Sequence, residues 1–147
     1  MKLSTKARYG LKAMVDIAMQ DETGDHVSVA TLARSQGISE SYLEQIIGKL
    51  KKAGLIMSAR GAQGGYRLSF EPEEISVYSI LNAVEDTNLV DCVSVDEQAV
   101  CKNACTCSVR PLWLKLQSRI NAVLLETTLK DMAEDYKFQM ERSKLES

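Results

Sequence analysis

Residues 27–70 run from two closely spaced helix starts to a helix stop and then to two strand-like runs around a glycine-rich turn, an order few folds accept. Both starts use one device. Val27-Ser28-Leu32 and Ile38-Ser39-Leu43 each set a serine cap between apolar residues. The hydroxyl accepts from a free backbone N–H, and the apolar pair fixes the angle of entry. Ile75-Ser76-Ile80 repeats the device further on. Gln36-Gly37-Ile38 splits residues 28–54 into two short helices. The second sets Leu43, Ile46, Ile47 and Leu50 on one face and stops at Gly54, a natural left-handed cap. This is helix-turn-helix syntax. Residues 55–60 and 66–70 read as strands joined by "GAQGG", with Tyr66, Leu68 and Phe70 alternating with Arg67 and Ser69. A helix-turn-helix followed at once by a hairpin is a winged helix.

Around this unit the periodicity is helical. Ser4 or Thr5 caps a first helix on which Leu11, Met14, Val15, Ala18 and Met19 recur, ending near Gln20. Residues 75–86 predict a short helix. Pro111 suits a first helical turn and opens a longer one with Leu112, Leu116, Ile120, Val123, Leu124 and Thr127 on its apolar face. Such a stripe must bury itself on something, either the winged helix or a second copy of the chain. Thr128 and Asp131 start a final short helix that gives way to the polar tail "ERSKLES". The expected fold is mainly α with a small β-hairpin: a winged helix over 1–86, a cysteine-bearing loop over 87–108, a dimerisation helix and short helix over 109–138, and a polar tail over 139–147.

Composition narrows the classes of function. No apolar run approaches the roughly 20 residues a membrane helix needs, and the N-terminus has no apolar signal core, so the expected location is the cytoplasm. The formal charge of −2 hides an asymmetry: residues 1–70 carry ten Lys/Arg against six Asp/Glu, and residues 71–147 carry eight against fourteen. The basic half is the half expected to meet a polyanion. No nucleophile–base pairing, phosphate loop or carboxylate pair stands out, and the glycine-rich turn joins two strands rather than opening a helix, so an enzyme is not expected.

The second helix of the pair, "SESYLEQIIGKLKKAG", is the candidate reading helix. Its first turns carry Ser39, Ser41, Tyr42, Glu44 and Gln45 off the apolar face. Gln pairs with adenine, Glu accepts from cytosine, and Ser serves base edge or phosphate. Lys49, Lys51 and Lys52 follow where phosphate contacts fall, and Arg60 and Arg67 flank a turn small enough to approach the DNA backbone closely. Any surface helix has a polar face. Helix-turn-helix, wing and concentrated positive charge together set this one apart.

All four cysteines stand within "CVSVDEQAVCKNACTC", residues 92–107. In a reducing compartment such a group reads as metal-binding or redox-active before it reads as a disulfide framework. Thiolates ligate iron–sulfur clusters. The spacing lacks the paired C-x₂-C of zinc ribbons, and a metal-free thiol switch uses the same residues. An iron–sulfur cluster, a thiol switch and zinc all stay open at this point.

"ISESYLEQIIGKLKKAGLIMSARGAQGGYRL" closely resembles the core of the Rrf2-type bacterial transcription regulators, which include an iron–sulfur branch, IscR. "MKLSTKARYGLKAMVDIA" resembles the family's first helix and "CSVRPLW" the start of its dimerisation helix, so the resemblance covers roughly residues 1–136. It implies a homodimeric regulator, a repressor or dual regulator, on a partly palindromic operator in double-stranded DNA, with Ser39, Ser41, Tyr42, Glu44, Gln45 and Arg60 at the family's DNA-contacting positions. It also implies three cluster ligands, which match Cys92, Cys101 and Cys107, with Cys105 as the extra thiol. The cluster type, 2Fe–2S or 4Fe–4S, stays open. The IscR branch takes its fourth ligand three residues after the third cysteine, where this chain has Arg110. Other branches take an acidic residue of the first helix, where this chain has Arg8. Cys105 is the local candidate for the fourth ligand, and a ligand from elsewhere stays open; the lone histidine, His26, reads as a surface residue. The alternative is a cluster-free relative that governs cysteine or sulfur metabolism through a partner enzyme or a thiol switch.

Overall fold

A computed structural model describes residues 3–60, 64–90, 93, 102–103 and 106–147. In chain order the elements are α1 (Thr5–Asp21), α2 (Val29–Gln36), α3 (Glu40–Lys52), β1 (Ile56–Ala59), β2 (Gly65–Leu68), a single 3₁₀ turn (Pro72–Glu74), α4 (Val77–Val84), α5 (Arg110–Glu126) and α6 (Leu129–Leu145).

The helix starts are where the serine caps put them. Ser4, Ser28, Ser39 and Ser76 accept from the backbone N–H groups of Ala7, Thr31, Tyr42 and Ser79 at 3.1, 3.1, 3.2 and 3.1 Å. Each bond satisfies one of the donors a helix leaves free at its first turn. Gly37 and Gly54 take left-handed φ values of 67° and 79° where α2 and α3 end. One core joins α1, α2, α3, the hairpin, α4 and the start of α6, with Met14, Ile17, Leu32, Leu43, Ile46, Leu50, Ile56, Ile80 and Leu129 buried in it.

The hairpin is antiparallel, with Ile56 opposite Leu68, Met57 opposite Arg67, Ser58 opposite Tyr66 and Ala59 opposite Gly65. Its free edge is covered. Val27 and Tyr66 exchange backbone hydrogen bonds of 3.4 and 2.9 Å, so the chain entering α2 adds a third partner to the wing. That approach explains Gly65: a Cβ there would lie 2.7 Å from the Val27 carbonyl oxygen. The expected alternation through Phe70 fails at its last position. The ladder ends at Leu68, and the chain turns outward toward the capped 3₁₀ turn at Pro72, leaving Phe70 54% exposed.

Two boundaries differ from expectation. The last helix is not short, because α6 runs 17 residues through most of the expected tail. Thr128 and Asp131 form a reciprocal capping box at its start, with bonds of 3.1 and 2.9 Å. Nor is its first turn separate from the winged helix. Val77 N–H donates to Thr127 O at 2.9 Å and Leu129 N–H to Ile75 O at 2.8 Å, so the starts of α4 and α6 are stitched together and Leu129 enters the main core.

Candidate nucleic-acid interface

Helix α3 has two opposed faces. Leu43, Ile46, Ile47 and Leu50 are buried, while Glu40, Ser41, Glu44, Gln45 and Gly48 are exposed. Burial of the apolar side leaves the polar edge no freedom to rotate inward. Ser39 is occupied as the cap, and its hydroxyl accepts from Tyr42 N–H. Tyr42 is half-buried, its ring edge-on to Tyr9 of α1 with 6.1 Å between centroids and an 89° interplanar angle. Lys12 sets its ammonium 5.7 Å from the centre of the Tyr9 ring. Tyr9, with Lys12 over its ring, thus backs the first turn of α3, and nothing in linear spacing marks this, because the pairing joins residues 33 positions apart.

Of the lysines expected at phosphates, Lys51 and Lys52 are exposed on the last turn of α3. Lys49 also belongs to that turn, but its Nζ donates to the Val84 carbonyl at 3.0 Å, where α4 ends. Arg67 is exposed on the outer face of the wing beside Met57, and Arg60 is exposed one residue past the paired strands. Three residues of the turn between them, 61–63, lie outside the described residues.

Cys92, Cys101 and Cys105 also lie outside the described residues, so their proximity is not part of the geometry here. Cys107 is a free, half-buried thiol ahead of α5. Arg110, on the first turn of α5, has its Nε shielded from solvent with no hydrogen-bond partner among the described residues. A guanidinium stays protonated and offers no lone pair to a metal, so Arg110 cannot be the ligand that a histidine would be. Arg8 and His26 are exposed. Among the described residues no three His, Cys, Asp or Glu side chains converge on one point.

The model of the Rrf2 family, described as iron-dependent transcriptional regulator, matches residues 3–135. The chain belongs to the Rrf2 family. Among Rrf2 regulators, the HTH-type transcriptional regulator IscR of Aliivibrio salmonicida is 40% identical over 139 residues, covering 95% of this chain and 81% of that one. The solved structure of T. potens IscR superposes with a TM-score of 0.74 at 39% identity, covering 92% of this chain and 88% of that one. CymR, the global cysteine regulator of B. subtilis, superposes at 0.72 with 37% identity, covering 91% and 97%. This Rrf2 chain is accordingly a DNA-binding transcriptional regulator of the IscR type, in a family of regulators rather than enzymes.

Helix α5 completes the picture of what the surface leaves open. Leu112 is 52% and Val123 61% exposed, and Leu116 is exposed too, while Ile120, Leu124 and Thr127 are half-buried, so half of the predicted stripe stays open among the described residues. The buried residue of α5 is instead polar. Gln117, 5% exposed, accepts from Leu89 N–H at 2.7 Å and donates to Thr87 O at 3.4 Å and Asn121 Oδ1 at 2.9 Å. Periodicity had no means of singling it out: a glutamine inside an apolar helix reads as the solvated side until the segment that covers it is seen.

Proposed function

We propose that this Rrf2 chain acts in the cytoplasm as a homodimeric repressor of genes behind a partly palindromic operator, its affinity set by the state of the cysteine-bearing segment. One observation carries the reading: Ser41, Glu44 and Gln45 stand open on α3 while the opposite face is locked into the core. Two copies pairing through the exposed Leu112, Leu116 and Val123 of α5 would present two such edges. Half-sites lie roughly 34 Å apart on one side of the duplex, so the angle between the two copies decides whether both engage. Ser39, Ser41, Tyr42, Glu44 and Gln45 serve the major groove, Lys51, Lys52, Arg60 and Arg67 the backbone or minor groove. Lys49 uses one of its three N–H donors on the Val84 carbonyl and keeps two for phosphate.

The donor set of the segment suits an iron–sulfur cluster: Cys92, Cys101 and Cys107 supply three thiolates, and Cys105 is the local fourth. When bound, such a cluster, 2Fe–2S or 4Fe–4S, adds iron–thiolate bonds that favour one shape of the loop. Moving an operator from mostly bound to mostly free takes about 5 kcal/mol of preference between two dimer geometries. A second reading is favoured by the likeness to the cysteine regulator CymR: a cluster-free regulator of sulfur metabolism, switched by thiol oxidation or by a partner protein.

Anaerobic purification decides between them. A brown protein with iron and acid-labile sulfide, bleached in Cys101→Ser and Cys107→Ser, supports the cluster. A colourless protein supports the second reading. Serine variants that bind and regulate like wild type would remove sensing by this segment altogether.

A further inference from the structure

Residues 87–90, which lead into Cys92, are held at both ends by contacts that meet nowhere in the sequence. On one side Gln117 of α5 clamps two backbone groups, the amide of Leu89 and the carbonyl of Thr87. Its carboxamide is buried, and Asn121, one turn along α5, accepts its second N–H at 2.9 Å and so orients it. Val93, the residue after Cys92, is buried and lines a shallow open hollow on α5 together with Leu114, Gln117 and Asn121. On the other side, four residues before Leu89, the end of α4 is tied to the reading head. The Val84 carbonyl accepts from Lys49 of α3, the Glu85 carboxylate accepts from Ser4 N–H at 3.2 Å, and the Val84 side chain would lie 3.0 Å from a Cβ on Gly10 of α1. The chain from the end of α4 to Val90 is therefore a short strut from α3 to α5.

We infer that Gln117 is a positioning residue that transmits the state of the cysteine segment to the recognition helix, through the strut Leu89–Thr87–Glu85–Val84 to Lys49. The inference rests on the proposed control of operator binding by that segment. A buried amide with both functions engaged has no low-energy half-way position, because losing one partner leaves a polar group unsatisfied in the interior. A displacement of Val93 or Leu89 is resisted at Gln117 and passed along α5 and along the strut together, and the two ends of the strut are the elements that set dimer angle and reading edge. Without the clamp, the segment before Cys92 moves independently of α5.

A double-mutant cycle on the full chain separates transmission from folding. Operator affinity is measured anaerobically by fluorescence anisotropy for the native cysteine segment and for one with all four cysteines changed to serine, each with Gln117 and with Gln117→Leu. The expected result is a native-to-serine affinity ratio of at least about fivefold with Gln117, collapsing toward one in Gln117→Leu, with faster hydrogen exchange at the Leu89 amide. Gln117→Met, which keeps the side-chain length, gives the same collapse and stands in should the leucine variant fail to fold. An affinity lowered equally for both segments, or an unchanged ratio, overturns the role of Gln117 alone. A ratio of one already present with Gln117 removes control by the cysteine segment, and this inference falls with it.

Discussion

Gln45 and Glu44 stand exposed on α3 because Ile46 and Ile47 beside them are held in the core. On the proposed reading Gln45 pairs with a base edge, so Gln45→Ala should cost about 1–3 kcal/mol of operator affinity and relax preference at one base position per half-site. Competition binding against operators altered one base pair at a time checks it; a uniform loss at every position would place Gln45 on the backbone instead. A second residue-scale expectation concerns Asp131. Its carboxyl is held below the ordinary carboxylate range by the backbone N–H and hydroxyl of Thr128. A depressed folded-state value means that the stabilisation is fully present above the unfolded pKa and fades as pH falls through the lower, folded value. Asp131→Asn should therefore lower thermal stability at neutral pH and flatten the acid side of the stability profile. A variant whose acid limb matches wild type would show that the capping box contributes nothing there.

Two elements carry the expectations at the next scale. Helix α5 leaves Leu112 and Val123 more than half exposed, so an aspartate at Val123 should abolish self-association in sedimentation without melting the winged helix. Loss of simultaneous engagement of two half-sites then weakens operator binding by about 10²-fold. A Val123→Asp variant that sediments as a dimer would move the interface elsewhere. In the wing, Gly65→Ala drives a methyl against the Val27 carbonyl, and overpacking of that kind costs about 1–3 kcal/mol, measurable as a lower melting temperature. Most of the elements were legible beforehand, since caps, glycine stops and apolar spacing are local properties. The serine-capped starts of α2, α3 and α4 and the hairpin fell where spacing put them. The length of α6 was not legible: its second half is polar, and a polar run reads as tail unless the turn that launches it is seen anchored to Ile75.

At the scale of the whole molecule, charge is divided between the two halves of the chain. The excess of positive charge lies in residues 1–70, which hold α3 and the wing, and the acidic excess lies beyond them. Operator binding should weaken steeply with salt, and Lys51→Ala should reduce the slope of log affinity against log salt by about 0.9 for each phosphate that the lysine neutralises. An unchanged slope would take Lys51 off the backbone.

From its order of residues alone, the chain determined a winged helix, the exposed polar face of α3 and the gathering of its thiols into one segment, because each depends on neighbours within a few turns of the backbone. Tertiary structure alone decided that Tyr9 backs Tyr42, that Lys49 faces the end of α4, that Val27 closes the wing and that Gln117 is interior. Each of these joins groups distant along the chain. Whether a polar side chain is solvated or buried and paired there depends on what packing brings to it, which no periodicity records.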